Sequence, residues 1–145
     1  MTMDLTTLNE LGASMAEATP QTAALGMKFV SVEPGIAVLR VPWRADLVGD
    51  PQTGVIASGV ITTLLDHCGG LAIKAAQLDF SRTATLDLRI DYMRPAIVGV
   101  DVIGKAHCYK LTRSIAFVRC VAYETDEADP IATAQGAFVL MGAPA

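Results

Sequence analysis

The chain has 145 residues, 52% of them hydrophobic and 18% charged, with a formal net charge of −4 and a pI near 5.0. That length fits one domain over residues 1–145 whose core needs neither disulfides nor metal, and the apolar excess points to subunits that pack together. The acidic balance excludes a global electrostatic footprint for nucleic acid, while two histidines and three cysteines (Cys68, Cys108, Cys120) without C-x-x-C spacing exclude the common metal frameworks.

Leu5, Leu8, Leu11 and Met15 recur at helical spacing, so residues 4–18 read as a helix within an N-terminal segment 1–20, stopped by Thr19-Pro20. Two strands follow over 27–32 and 36–41, joined at Glu33-Pro34-Gly35, where proline fixes one φ and glycine permits a positive one. Residues 42–53 hold Asp, Gly and Pro and read as a loop. A helix then runs from Ser58 or Gly59 to about Gln77, roughly 28 Å at about 1.5 Å per residue, apolar on nearly all sides. Beyond it the pattern alternates strictly, with Leu86, Leu88, Ile90 and Tyr92 on one face and Thr85, Asp87, Arg89 and Asp91 on the other. Arg94-Pro95 ends that strand, and β-rich segments near 100–110, 114–123 and 130–140 complete the chain. A one-sided sheet and an all-round apolar helix satisfy each other in an α+β hotdog architecture, a curved antiparallel sheet of about six strands wrapped around one long central helix.

The N-terminus lacks the basic stretch and apolar core of a secretory signal. Asp66, His67 and Lys74 interrupt the longest apolar run, so it does not read as a membrane span, and the thiols read as small buried hydrophobes of a reducing compartment. The expectation is a cytoplasmic protein with no membrane or nucleic-acid partner.

Asp66 is the first candidate for chemistry, because an ionised group in the middle of an apolar, small-residue helix is costly unless something pairs with it or uses it. The bland reading is an amphipathic helix whose solvent side carries Asp66 and Lys74. The unpaired N–H groups at the start of the same helix suit a developing oxyanion. A carboxylate two turns on can act as general base on water or attack a carbonyl directly, and the sequence leaves both open. His67 points about 100° away around the helix, so it does not form a dyad with Asp66 and reads as a packed or interfacial residue. Trp43 reads as an anchor for the loop after the second strand.

Five segments in order carry a resemblance: residues 25–35, Leu47-Val-Gly-Asp-Pro51 with Thr53-Gly-Val-Ile56, Gly59-Val-Ile-Thr-Thr-Leu-Leu-Asp66, Leu88-Arg-Ile-Asp-Tyr-Met-Arg-Pro95 and Ala134-Gln-Gly-Ala-Phe138. Together they resemble the hotdog thioesterases of the phenylacetate-degradation (PaaI) type. The resemblance implies hydrolysis of an acyl-CoA, aromatic or of short to medium chain, with no cofactor beyond the coenzyme A of the substrate. It places the acid at Asp66, the oxyanion amide at Ser58 with Gly59 beside it, and a hydroxyl at Thr85 that meets Asp66 across a subunit interface. It also implies a homodimer of hotdogs, paired again into a tetramer. Tyr92, Arg94 and Pro95 fall in one segment that contacts coenzyme A in relatives, and Lys110, Arg113 and Ser114 in another. Thr62, with Gly59, Gly69 and Gly70, lies at roughly helical spacing from Asp66, which suits a pantetheine chain or the close approach of a second helix.

The chain departs from the family pattern at Ala57-Ser58-Gly59, where relatives read His-Gly-Gly, at Asp50-Pro51, where they read Asn-Pro, and at Thr112, where they carry glycine. Asp50 adds a negative charge to a loop expected near Asp66. These departures motivate an alternative, an acyl-CoA-binding hotdog protein that has lost turnover. A hotdog dehydratase ranks below both, because no histidine precedes the helix.

Overall fold

A computed structural model describes residues 4–79 and 82–142; the first three residues of the expected N-terminal segment lie outside them. Helix α1, Leu5–Glu17, is capped by Asp4, whose carboxylate accepts from Thr7 N at 2.7 Å. Thr19-Pro20 stops it as expected but also starts another helix, α2, Pro20–Leu25, with Thr19 as N-cap and proline at the first helical position. Helical spacing does not announce that short helix, although a hydroxyl residue followed by proline is its signature.

Strands β1 (Lys28–Glu33) and β2 (Ile36–Val41) form the expected hairpin, and Gly35 takes the positive φ of 69° in its turn. Helix α3 spans Ser58–Gln77, followed by β3 (Arg82–Tyr92), β4 (Val102–Leu111), β5 (Ile115–Tyr123) and β6 (Ala132–Met141). All five strand pairings are antiparallel, in the order β1-β2-β4-β5-β6-β3. Laid flat, six strands about 4.8 Å apart would be roughly 24 Å wide, twice a helix diameter. Because α3 packs against every one of them, the sheet must curl around it. This is the hotdog arrangement.

Small residues set how closely helix and sheet approach. A Cβ on Gly104 of β4 would stand 2.7 Å from Leu64 Cγ, and one on Gly69 would stand 3.1 Å from the Phe138 ring. Leu64 and Leu65 are fully buried, each stabilising the fold by about 1.5–3 kcal/mol. Gly69 is thus occupied by the core rather than left open for a ligand or a second helix.

Strand β3 corrects the strict alternation read from the sequence. A β-bulge between Thr85 and Asp87 adds one residue to the strand, which inverts the parity on either side of it. Thr83 and Thr85 therefore share the helix-facing side with Leu88, Ile90 and Tyr92, while Leu86 stands 58% exposed.

The two sheet edges differ. Along β1, the Asn9 side chain of α1 bonds both Val32 N and Val32 O at 3.4 Å, and Glu17 accepts from Phe29 N. Strand β3 pairs with β6 on one side, and among the described residues no strand lies along its eleven-residue outer edge.

Candidate active site

The polar features gather along the seam between α3 and β3. Ser58, Thr62, Asp66 and Gly70 recur every fourth residue and so line one helix face. Because β3 runs antiparallel to α3, Tyr92 sits over the first turn, Thr85 beside Asp66 and Thr83 beside Gly70.

Thr85 Oγ1 donates to Asp66 Oδ1 at 2.6 Å within one protomer. The expectation that these two meet only across an interface is corrected, and the bulge is the reason: with unbroken alternation Thr85 would face away from α3. A cavity of about 370 Å³ opens beside the pair, lined by Asp66, Gly70, Lys74, Arg82, Thr83 and Thr85 among others. His67 is the packed residue expected, lying next to the Met15 and Ala16 carbonyls of α1, and burial pushes its pKa down.

The start of α3 is bare. Ala57, its N-cap, offers no side-chain acceptor, and among the described residues neither Ser58 N–H nor Gly59 N–H has a hydrogen-bond partner. Alanine at the N-cap thus leaves the helix uncapped, with its positive end open to an anion. The preceding loop is folded onto this turn. Ala57 N donates to Leu47 O at 2.8 Å, Gly49 N to Val55 O at 2.9 Å, and a Cβ on Gly49 would lie 3.0 Å from Ala57 Cα. Trp43 anchors the loop as expected, donating from Nε1 to Gly54 O. Asp50 accepts from Gln52 N at 2.9 Å and forms a local turn, whereas the hydrogen bond at Asp66 comes from Thr85.

Tyr92 and Thr62, both expected to contact substrate, contact each other. Their hydroxyl oxygens are 2.7 Å apart, and the Tyr92 hydroxyl donates to Ser58 O at 3.0 Å. Beside them a largely apolar cavity of about 480 Å³ is lined by Val55, Ile61, Met93, Pro95 and Ala96.

The basic candidates do not converge. Arg94 is committed to the protein, with Nη1 donating to Glu124 Oε1 and Pro95 O, Nη2 to Glu124 Oε2 and Asp129 O, and Nε to Asp129 Oδ1. Lys110, Arg113 and Ser114 are exposed on the β4–β5 hairpin, whose turn is held by Thr112 Oγ1. Ser114 O accepts from Leu140 N, which places that hairpin at the Arg82 end of the sheet. Arg94 follows the other end of β3, roughly 33 Å away at about 3.3 Å per residue.

Glu124 escapes the sequence reading, because it opens what looks like a polar turn. Its side chain is 1% exposed because it continues the inward row Ala116, Val118, Cys120, Ala122, a period-2 signal the sequence does carry. Burial alone would raise its pKa, but the Arg94 guanidinium and Ile97 N–H outweigh that and hold the carboxyl below its usual value. Among the described residues no three His, Cys, Asp or Glu side chains converge to hold a metal ion, and no helix is long and apolar enough to cross a membrane.

Comparison with known proteins agrees with this fold. Residues 53–131 match the family model described as Thioesterase superfamily. A crystal structure of a Pseudomonas aeruginosa protein superposes with a TM-score of 0.83 at 38% identity, covering 92% of this chain and 99% of that one. The phenylacetic acid degradation protein PaaI of Thermus thermophilus, in a mutant form, superposes at 0.74 with 27% identity over 85% of this chain and 100% of that one. Human acyl-coenzyme A thioesterase 13 is 26% identical over 118 residues, 81% of this chain and 82% of its own. The chain belongs to the thioesterase superfamily, and it is a thioester hydrolase of the PaaI-like, hotdog-fold kind.

Proposed function

We propose that the protein hydrolyses acyl-CoA thioesters at sites shared between two copies of the chain. The observation that carries this is the Asp66 carboxylate, held by Thr85 on the open α3–β3 seam two turns from an uncapped helix start. Eight residues of helix separate Asp66 from Ser58, about 12 Å, whereas the base and the oxyanion donors must both lie about 3 Å from one thioester group. One protomer cannot bring them together. Pairing the bare β3 edge with that of a second copy supplies a two-fold axis. An axis near Thr62 and the middle of β3 sets Asp66 of each copy opposite the helix start of the other.

In each such site Asp66 takes a proton from water as the water oxygen adds to the thioester carbon, or adds to that carbon itself. The oxyanion is held by the Ser58 and Gly59 N–H groups, and collapse of the adduct breaks the C–S bond and releases the coenzyme A thiolate, which is then protonated; where Asp66 itself has added, collapse leaves a mixed anhydride that water hydrolyses to free acid and the Asp66 carboxylate. The same antiparallel pairing brings residues 92–96 of one copy toward the Arg82 end of the other, where Lys110, Arg113 and Ser114 stand. Those three suit the nucleotide phosphates. Arg94, occupied by Glu124 and Asp129, shapes the wall instead. The acyl group is aromatic or of short to medium chain.

Free-thiol release from an acyl-CoA panel tests this with Asp66→Asn, Gly59→Pro and the two co-expressed. Each variant alone should be inactive, and random assembly should restore about a quarter of wild-type turnover, because half the dimers regain one intact site of two. Turnover retained by Asp66→Asn would remove its assigned role, and no recovery in the mixture would rule out a shared site.

A further inference from the structure

The helix row that carries Asp66 continues past it. Gly70 comes four residues on and Lys74 four further, so the three share the face of α3 turned to β3. All three line the cavity of about 370 Å³ beside the Asp66–Thr85 pair. Gly70 keeps its middle open: outside the helix backbone, the nearest atom to a Cβ placed there would be Thr83 Oγ1, at 3.9 Å. Phe138 and Met141 add apolar surface, and Lys74 and Arg82 bring two cations to the same lining. Arg82 opens β3, three positions before Thr85, so both cations lie on the Gly70 side of Asp66, away from Thr62.

We propose that this cavity takes an acyl group whose far end carries a second carboxylate, with Lys74 as the residue that selects it. The inference rests on the acyl-CoA hydrolysis proposed above, with the scissile carbonyl beside Asp66. Lys74 is only partly exposed, and burial pushes its pKa down, an effect that the Asp79 charge opposes. An anion in the cavity would stabilise that ammonium further, whereas a plain hydrocarbon end would strip water from it and replace nothing. Asp79 is not among the lining residues, and an ammonium has three donors, so its attraction to Asp79 leaves capacity for a ligand oxygen. Length follows from the helix. Eight residues separate Asp66 from Lys74, about 12 Å, and a helical lysine leans back toward the N-terminus. A carboxylate at the ammonium then stands roughly 6–9 Å from a carbonyl carbon beside Asp66, the span of a six- to eight-carbon chain at about 1.3 Å per carbon. A shorter diacid would hold its free carboxylate against Asp66, where like charges repel.

The experiment compares adipyl-CoA, whose six-carbon acyl group ends in a carboxylate, with hexanoyl-CoA, using the wild-type protein, Lys74→Met and Lys74→Glu. Wild type should have the higher kcat/KM for adipyl-CoA. Lys74→Met should lower the adipyl-to-hexanoyl ratio of kcat/KM about tenfold or more, the scale of one lost charge-assisted hydrogen bond. Lys74→Glu should go further and make 6-aminohexanoyl-CoA a better substrate than adipyl-CoA. A wild-type kcat/KM no higher for adipyl-CoA than for hexanoyl-CoA would overturn the inference. So would a ratio that Lys74→Met leaves within twofold, the result that a contact with coenzyme A, common to both substrates, would give. Should the wild-type protein hydrolyse neither thioester, the acyl-CoA hydrolysis reading fails on its own, and calorimetry with the two non-hydrolysable thioether analogues then decides. Tighter binding of the adipyl analogue that Lys74→Met abolishes supports the carboxylate site, and equal binding of the two rejects it.

Discussion

Replacing Glu124 with glutamine should destabilise the protein by about 3 kcal/mol, far more than an isosteric change at a turn normally does. The carboxylate is buried, with both oxygens on the Arg94 guanidinium and Oε1 also accepting from Ile97 N at 2.8 Å. Glutamine keeps one oxygen for Ile97 but turns an amide donor toward Arg94, so a charge-assisted bond worth about 1.5–3 kcal/mol is lost. The guanidinium, 26% exposed, is left with the Asp129 carboxylate, itself 74% exposed, as its acidic partner. For a chain of this length about 3 kcal/mol corresponds to roughly 6–12 °C in Tm, measured by calorimetry at fixed protein concentration. The effect also has a sign in pH. Because the folded state holds Glu124 below its usual 4.5, its stabilisation is complete above that value and is lost as pH falls through the lowered one. Wild-type and variant stabilities should therefore converge in acid. A difference under about 1 kcal/mol at pH 7, or one that stays constant through the acid range, would refute the reasoning.

Packing and thiol chemistry supply two further expectations. Gly104→Ala places a Cβ 2.7 Å from Leu64 Cγ and should cost about 1–3 kcal/mol in urea denaturation; unchanged or increased stability would mean that helix and sheet approach less closely than described. Burial raises the pKa of Cys68 and Cys120, the latter to about 12 with the Asp66 charge adding to the effect. Both thiols should resist a disulfide reagent at pH 8 in the native protein and react once it is unfolded. Labelling of either at the rate of a free thiol would contradict their burial.

Periodicity made the architecture legible. The all-round apolarity of α3 and the period-2 strands demanded a sheet wrapped around a helix, and the boundaries Ser58–Gln77 emerged as read. Asp66 was legible for the same reason, since a carboxylate in an apolar helix violates a local rule and so marks itself. Three features were decided only in three dimensions. The bulge at Thr85–Asp87 has no signature in residue type, yet by inverting strand parity it carries Thr85 to Asp66. Arg94 read as a coenzyme A contact because its partner Glu124 lies thirty positions away in a turn, and only strand order brings the two together. The hydrogen bond from the Tyr92 hydroxyl to the Ser58 carbonyl spans thirty-four positions. Sequence patterns record which face of each element is buried, because burial acts on every residue at its own period. Which polar atoms meet depends on register and strand order, properties of pairs of elements that no single segment encodes.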